Sequence, residues 1–128
     1  MQTYLLRITA AGAAEPVCIH TQPVPAETLA ALLHTDVTER MRIPVMPEAL
    51  AGERVLCYFI DARGGDRGLP ANFLGTCFYH TGCPVFGDLL IAFCEQDSRS
   101  ETVSGFTEAE LQVLQSWLKA QFAAYLEP

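Results

Sequence analysis

The chain has 128 residues, with fifteen Asp and Glu against eight Lys and Arg, for a formal net charge of −7. Half of its residues are hydrophobic and 18% are charged, which is enough apolar surface to build the core of one domain and too much for a disordered chain. Phosphate contacts from Lys and Arg supply most non-specific nucleic-acid affinity, so this balance argues against direct DNA or RNA binding. The only opening for an anion is a small basic patch at Arg40, Arg42 and Arg54. The longest apolar runs, Val55–Ile60 and Leu89–Cys94, fall far short of the ~20 residues of a membrane-spanning helix, so no membrane partner is expected.

In chain order, Thr3–Thr9 has the β-branched and aromatic content of a strand, and the small residues at 11–14 make a turn. Pro16–Thr21 forms the second arm of a hairpin, with Val17 and Ile19 on one face and Cys18 and His20 on the other. Leu29, Leu32 and Leu33 recur at helical spacing after Pro25, which predicts a short amphipathic helix over 25–34. Asp36–Pro44 alternates, placing Val37, Met41 and Ile43 on one face and Thr38, Arg40 and Arg42 on the other, as a strand exposed on one side. Pro44–Gly52 reads as a loop. Arg54–Asp61 and Phe86–Cys94 lack polar alternation and read as strands buried on both faces. Between them, Ala62–Gly68 is a turn, and Leu69–Tyr79 fits a short helix weakened by Gly75. Gln96–Gly105 reads as a flexible loop.

The final helix is the best-marked element. Thr107 and Glu110 have the spacing of a capping box, and Phe106 with Leu111 forms a hydrophobic staple. Leu111, Leu114, Leu118, Phe122 and Tyr125 trace one face, which Val113, Trp117 and Ala120 widen. A stripe this wide packs on a sheet and leaves Trp117 as a candidate contact to a partner. Together these elements predict an α+β domain spanning 1–128. Its mainly antiparallel sheet carries a short helix from the N-terminal half and a long C-terminal helix packed on one face.

The succession of hairpin, Leu-rich helix and strands leads into Leu69-Pro70-Ala71-Asn72 and then Pro-Val-Phe-Gly-Asp-Leu-Leu-Ile at 84–91. This order resembles an uncharacterised family of small domains found in phages and bacterial mobile elements. In that family the Asn is followed by small and aromatic residues, as Leu74-Gly75-Thr76 and Phe78-Tyr79 are here, and the last helix starts in a similar Thr-Glu-x-Glu. The resemblance covers most of the chain through short motifs. It implies a fold and a mobile-element setting but no activity, because the family's function is unknown.

Cys77, His80 and Cys83 depart from the family's pattern and are the sharpest chemical constellation. Thiolates with imidazole are zinc ligands, and Cys18 and His20 could complete a tetrahedral set, although the spacing is unlike that of a structural zinc site. No cofactor or stoichiometric zinc is therefore expected. A Cys–His nucleophile centred on Cys83 is the thiol-enzyme version of the same cluster. Asn72 and Asp88 are candidate ligand or partner contacts, each weighed against a local role as a turn or capping residue. Gly64, Gly65 and Gly68 within 63–68 could free amides for an anion, but the segment lacks the lysine and following helix of a phosphate loop. Five cysteines, an odd number, and an N-terminus without a basic region and long apolar region place free thiols in a reducing compartment, so a cytoplasmic protein is expected. The expected function is that of a small accessory protein acting by binding a protein partner, with a homodimer compatible with the wide stripe. The alternatives are a metal- or thiol-dependent enzyme at Cys77, His80 and Cys83, and an acidic mimic that blocks a nucleic-acid-binding protein.

Overall fold

A computed structural model describes residues 2–52, 54–78, 84–95 and 102–127. The strands are β1 (Thr3–Ile8), β2 (Ala14–Ile19), β3 (Thr38–Arg42), β4 (Arg54–Asp61), β5 (Leu89–Glu95) and β6 (Val103–Ser104). The helices are α1 (Ala26–Leu32), α2 (Phe73–Phe78) and α3 (Glu108–Phe122), with single 3-10 turns at Glu48–Leu50 and Ala123–Tyr125. All pairings are antiparallel, in the order β2-β1-β5-β4-β3, with β6 also paired to β5. The chain is thus an α+β domain, as its sequence predicts, and no helix among the described residues is long and apolar enough to cross a membrane.

β4 and β5 have buried residues on both faces, which is why their sequences show no polar alternation. Leu56, Tyr58, Ile60, Leu89, Ile91 and Phe93 face one core, beneath α2 and α3. Val55, Cys57, Phe59, Leu90, Ala92 and Cys94 face the other, beneath α1. The helices therefore sandwich the sheet. The long helix covers one face with α2, and the short α1 lies on the opposite one.

Helix α3 starts where its sequence marks it. Thr107 Oγ1 accepts from Glu110 N at 3.2 Å, and Glu110 Oε1 accepts from Thr107 N at 2.9 Å. Leu111, Leu114 and Leu118 are buried on the sheet, while the stripe fades at its end, where Tyr125 is exposed. Trp117, Phe122 and Phe78 form a run of edge-on rings that reaches Tyr58 in β4. Helix α2 tolerates Gly75 because it needs it: a Cβ there would meet Val85 Cγ1 at 2.8 Å.

Three expectations are corrected. The sequence reading packs the helices on one face of the sheet, but α1 lies on the face opposite α2 and α3, because both faces of β4 and β5 are apolar and need cover. The second long apolar strand begins at Leu89 rather than Phe86, which makes only an isolated bridge to Ala71. The segment 96–105, read as a loop, contributes β6 at Val103–Ser104, followed by a bridge from Phe106 to Tyr4. Two ladder residues are too few for a period of two to show in a polar stretch.

The burial of Leu118, 1% exposed, sets its weight in the core. Leu118→Ala is expected to lower stability by about 2–4 kcal/mol, the usual cost of truncating a packed leucine. Urea unfolding measures it, and an unchanged midpoint would place this face of α3 outside the core.

Candidate functional site

Asn72, a candidate ligand contact, sits 1% exposed where three segments meet. Its Nδ2 donates to Ile8 O at 3.1 Å and to Gly87 O at 2.9 Å, and its Oδ1 accepts from Gly75 N at 3.0 Å. It therefore caps α2 and ties that helix to the end of β1 and the approach to β5, with every amide hydrogen committed inside the fold. Asp88 lies beside it, half-buried, and its Oδ1 accepts from Ala10 N at 3.1 Å. Gly87, at φ +86°, makes the turn between them. Trp117 is partly buried against the α3 core and stacks edge-on with Phe122 at 5.4 Å.

The cysteine and histidine candidates do not converge as far as they are described. Cys18 and His20 are exposed on and just after the edge strand β2, and Cys77 is exposed on α2. His80 and Cys83 lie outside the described residues. Among the described residues, no group of three or more His, Cys, Asp or Glu is placed to hold a metal. The turn after β4 uses the amides of Gly64, Arg67, Gly68 and Leu69 on its own carbonyls, so they are not available to cradle an anion.

Asp61, at the end of β4, is 3% exposed. It accepts from Thr35 Oγ1 and Arg63 N, both at 2.9 Å, and from the Arg67 guanidinium, which also donates to His34 O at 3.0 Å. Burial pushes its carboxyl up, but the Arg63 amide, the Thr35 hydroxyl and the Arg67 charge together hold it below its ordinary value. The result is a clasp between the loop after α1 and the loop after β4.

The α1 face of the sheet holds what sequence reasoning passed over. Cys57 and Cys94 are buried diagonal neighbours: Cys57 stands opposite Ala92, and Cys94 opposite Val55. The Cys94 thiol donating to Cys57, against burial and helped by the charges of Arg40 and Arg42, lowers the Cys57 thiol; the same contact and burial push Cys94 up. In β3, Arg42 lies directly opposite Cys57 and Arg40 opposite Phe59, while Glu39 and Met41 pair with Ile60 and Tyr58 and belong to the other face. Arg54, the third member of the basic patch, is on that other face too. It pairs with Glu110 at 3.0 Å and lies 4.0 Å from the centre of the Phe93 ring. The sequence patch is thus split by strand parity.

Beside Arg40 lies an open groove of about 290 Å³. Leu29 of α1, Phe59 of β4, Val24 and Val103 give it apolar walls, with Ala26, Thr38 and Arg40 at its lining. It exists because α1 is seven residues long and its end is drawn over β1, where Arg7 Nη2 donates to Leu32 O at 3.2 Å. The β3 side of the sheet is left uncovered. One wall is fixed by a backbone bond from Val24 N to Val103 O at 2.8 Å. Among the described residues the ion pairs are Arg54 with Glu110 and Arg67 with Asp61, so no carboxylate pairs with Arg40 or Arg42. The chain matches no protein-family model, no curated protein and no solved structure.

Two predictions follow from the buried polar groups. Asn72→Ala removes both donors and the cap, leaving two carbonyls and one amide unpaired, and is expected to cost about 3 kcal/mol or more. Asn72→Asp should cost more, because a carboxylate would face two carbonyl oxygens. Chemical denaturation reads both, and a midpoint equal to wild type in either would dismiss the brace. For Asp61 the folded carboxyl lies below its unfolded value, so its stabilisation is present above the unfolded value and is lost as pH falls through the folded one. Asp61→Asn should therefore be less stable than wild type at pH 7, with the gap closing as pH drops below the ordinary carboxylate range. A gap independent of pH would exclude an ionised Asp61 clasp.

Proposed function

We propose that the protein is a small cytoplasmic accessory protein that acts by binding a protein partner, and that the groove between α1 and the sheet is where the partner is held. The supporting observation is the groove itself: apolar walls on a rigid sheet, open to solvent, with an arginine of β3 at the lining. Both outer strands are poor templates for strand addition. β2 carries Glu15 and Pro16, and β3 is five residues with three charges. A partner segment is thus better received by a side-chain pocket than by a sheet edge. Seating one leucine-sized side chain would contribute about 1.5–3 kcal/mol, roughly 10- to 150-fold in affinity, which suits a reversible accessory contact. The phage or mobile-element setting belongs to the same proposal and rests on the motifs at 69–72 and 84–91. The protein is proposed not to bind nucleic acid directly, since two of its basic side chains are tied up in ion pairs with Glu110 and Asp61.

The test is selection of displayed random peptides on the folded protein, with counter-selection on Ala26→Trp. Ala26 is exposed at the start of α1 and lines the groove, so the indole fills it without entering the core. Enrichment of peptides that bind wild type and lose the variant is the expected result. Peptides indifferent to Ala26→Trp, or no enrichment, would remove the groove from the reading.

A further inference from the structure

We infer that the groove selects a peptide segment in which a carboxylate directly neighbours an apolar side chain, with Arg40 as the residue that reads the carboxylate. The inference rests on the proposed use of the groove and adds its ligand chemistry.

The chain carries a net charge of −7, yet the charged residues that β3 turns to the α1 face are both arginines. Arg40 and Arg42 are two residues apart on β3 and share the α1 face, while Glu39 belongs to the other. Both arginines are exposed. Unlike Arg54 and Arg67, neither has a carboxylate partner among the described residues. Phe59 lies opposite Arg40 across β4, so an apolar wall and a guanidinium stand side by side. Arg40 lines the groove and its side chain also contacts the Cys94 thiol, so a ligand with only an apolar group would leave the guanidinium's remaining donors beside a partly dried groove. A ligand with only a carboxylate would leave Leu29 and Phe59 wet. A segment carrying both on adjacent residues satisfies the walls and the fork together, and the guanidinium's planar donors suit a carboxylate. A lysine in the same place would be repelled by Arg40 and Arg42 at once. Thr38, which also lines the groove one residue-pair along β3 from Arg40, supplies a hydroxyl for the segment's backbone.

The size of the groove bounds the segment. At water's share of roughly 30 Å³ per heavy atom, about 290 Å³ holds two medium side chains and no folded element. The recognised unit is therefore a short exposed stretch of the partner.

The experiment uses three acetylated and amidated peptides, Gly-Ser-Leu-Glu-Leu-Gly-Ser and its Gln and Lys versions at the central position, together with octanoate as a free apolar carboxylate. Each is titrated by amide NMR shifts into wild type, Arg40→Gln and Ala26→Trp. The Glu peptide should shift Leu29, Phe59 and Val103 and bind roughly tenfold tighter than the Gln peptide, the gain of a charge-assisted over a neutral contact. The Lys peptide should be weakest, and the Glu preference should shrink with added salt. Arg40→Gln should erase the preference, so that the Glu and Gln peptides bind alike and both still shift Leu29, Phe59 and Val103, a pattern that mere loss of structure would not give. If all three peptides bind equally and all are lost on Ala26→Trp, the carboxylate inference is overturned and the groove reading stands. If no peptide moves these resonances, the groove reading falls and the inference with it. Octanoate binding without peptide binding would overturn the peptide as the occupant.

Discussion

The hydrogen-bond ladder along β5 couples everything else in the domain. β1 and β6 pair along one side of this strand and β4 along the other, so the N-terminal hairpin, the β3–β4 hairpin and the lead into α3 all meet there. β5 is the last long strand of the chain, yet it occupies the middle of the sheet. Neither hairpin can reach its final neighbour until residues 89–95 are in place. That makes non-local pairing an entropic cost that only the burial of β5 on both faces offsets. Asn72 is set at this joint, bonding the end of β1 and the residue before Asp88 with one side-chain amide.

The two faces solve burial differently. On the α3 side, a fifteen-residue helix, α2 and the rings of Phe78, Phe122 and Trp117 close the core, and the capping box holds the helix start against Arg54 through Glu110. On the α1 side, a seven-residue helix is the helical cover among the described residues. Its end is drawn toward Arg7 of β1, which leaves the β3 flank with exposed arginines above buried thiols. The asymmetry of cover is what leaves the groove open, and the Asp61 clasp ties the loop after α1 to the loop after β4.

Much of this was legible in the residues. Arg54–Asp61 is read from its unbroken apolar run, and the structure gives β4 those bounds. The capping box at Thr107 and Glu110 is a local motif, and local motifs survive any tertiary context that keeps the helix. The alternation over 36–44 correctly separates Met41 and Ile43 from Arg40 and Arg42. The candidate site was less legible. Asn72 was visible as a marked residue after Leu-Pro, but its partners, Ile8 and Gly87, are 64 and 15 residues away. The basic patch was visible as three arginines, but Arg54 is on another strand whose parity sends it to the opposite face. The cysteines that meet are Cys57 and Cys94, which lay in apolar runs and looked like ordinary core residues, rather than Cys18 and Cys77.

Sequence alone determined the long strands and the helices, which residues face apart along each of those strands, and where α3 begins. These depend on the backbone's periods of two and 3.6 and on caps that act within one turn. Tertiary structure decided the insertion of β5 between β1 and β4, the pairing of β6, the side of the sheet that each helix covers, and hence the groove beside Arg40. Those outcomes rest on contacts between residues far apart in the chain, and on the mismatch between a short helix and a wide sheet face. No period within a single segment encodes either of them.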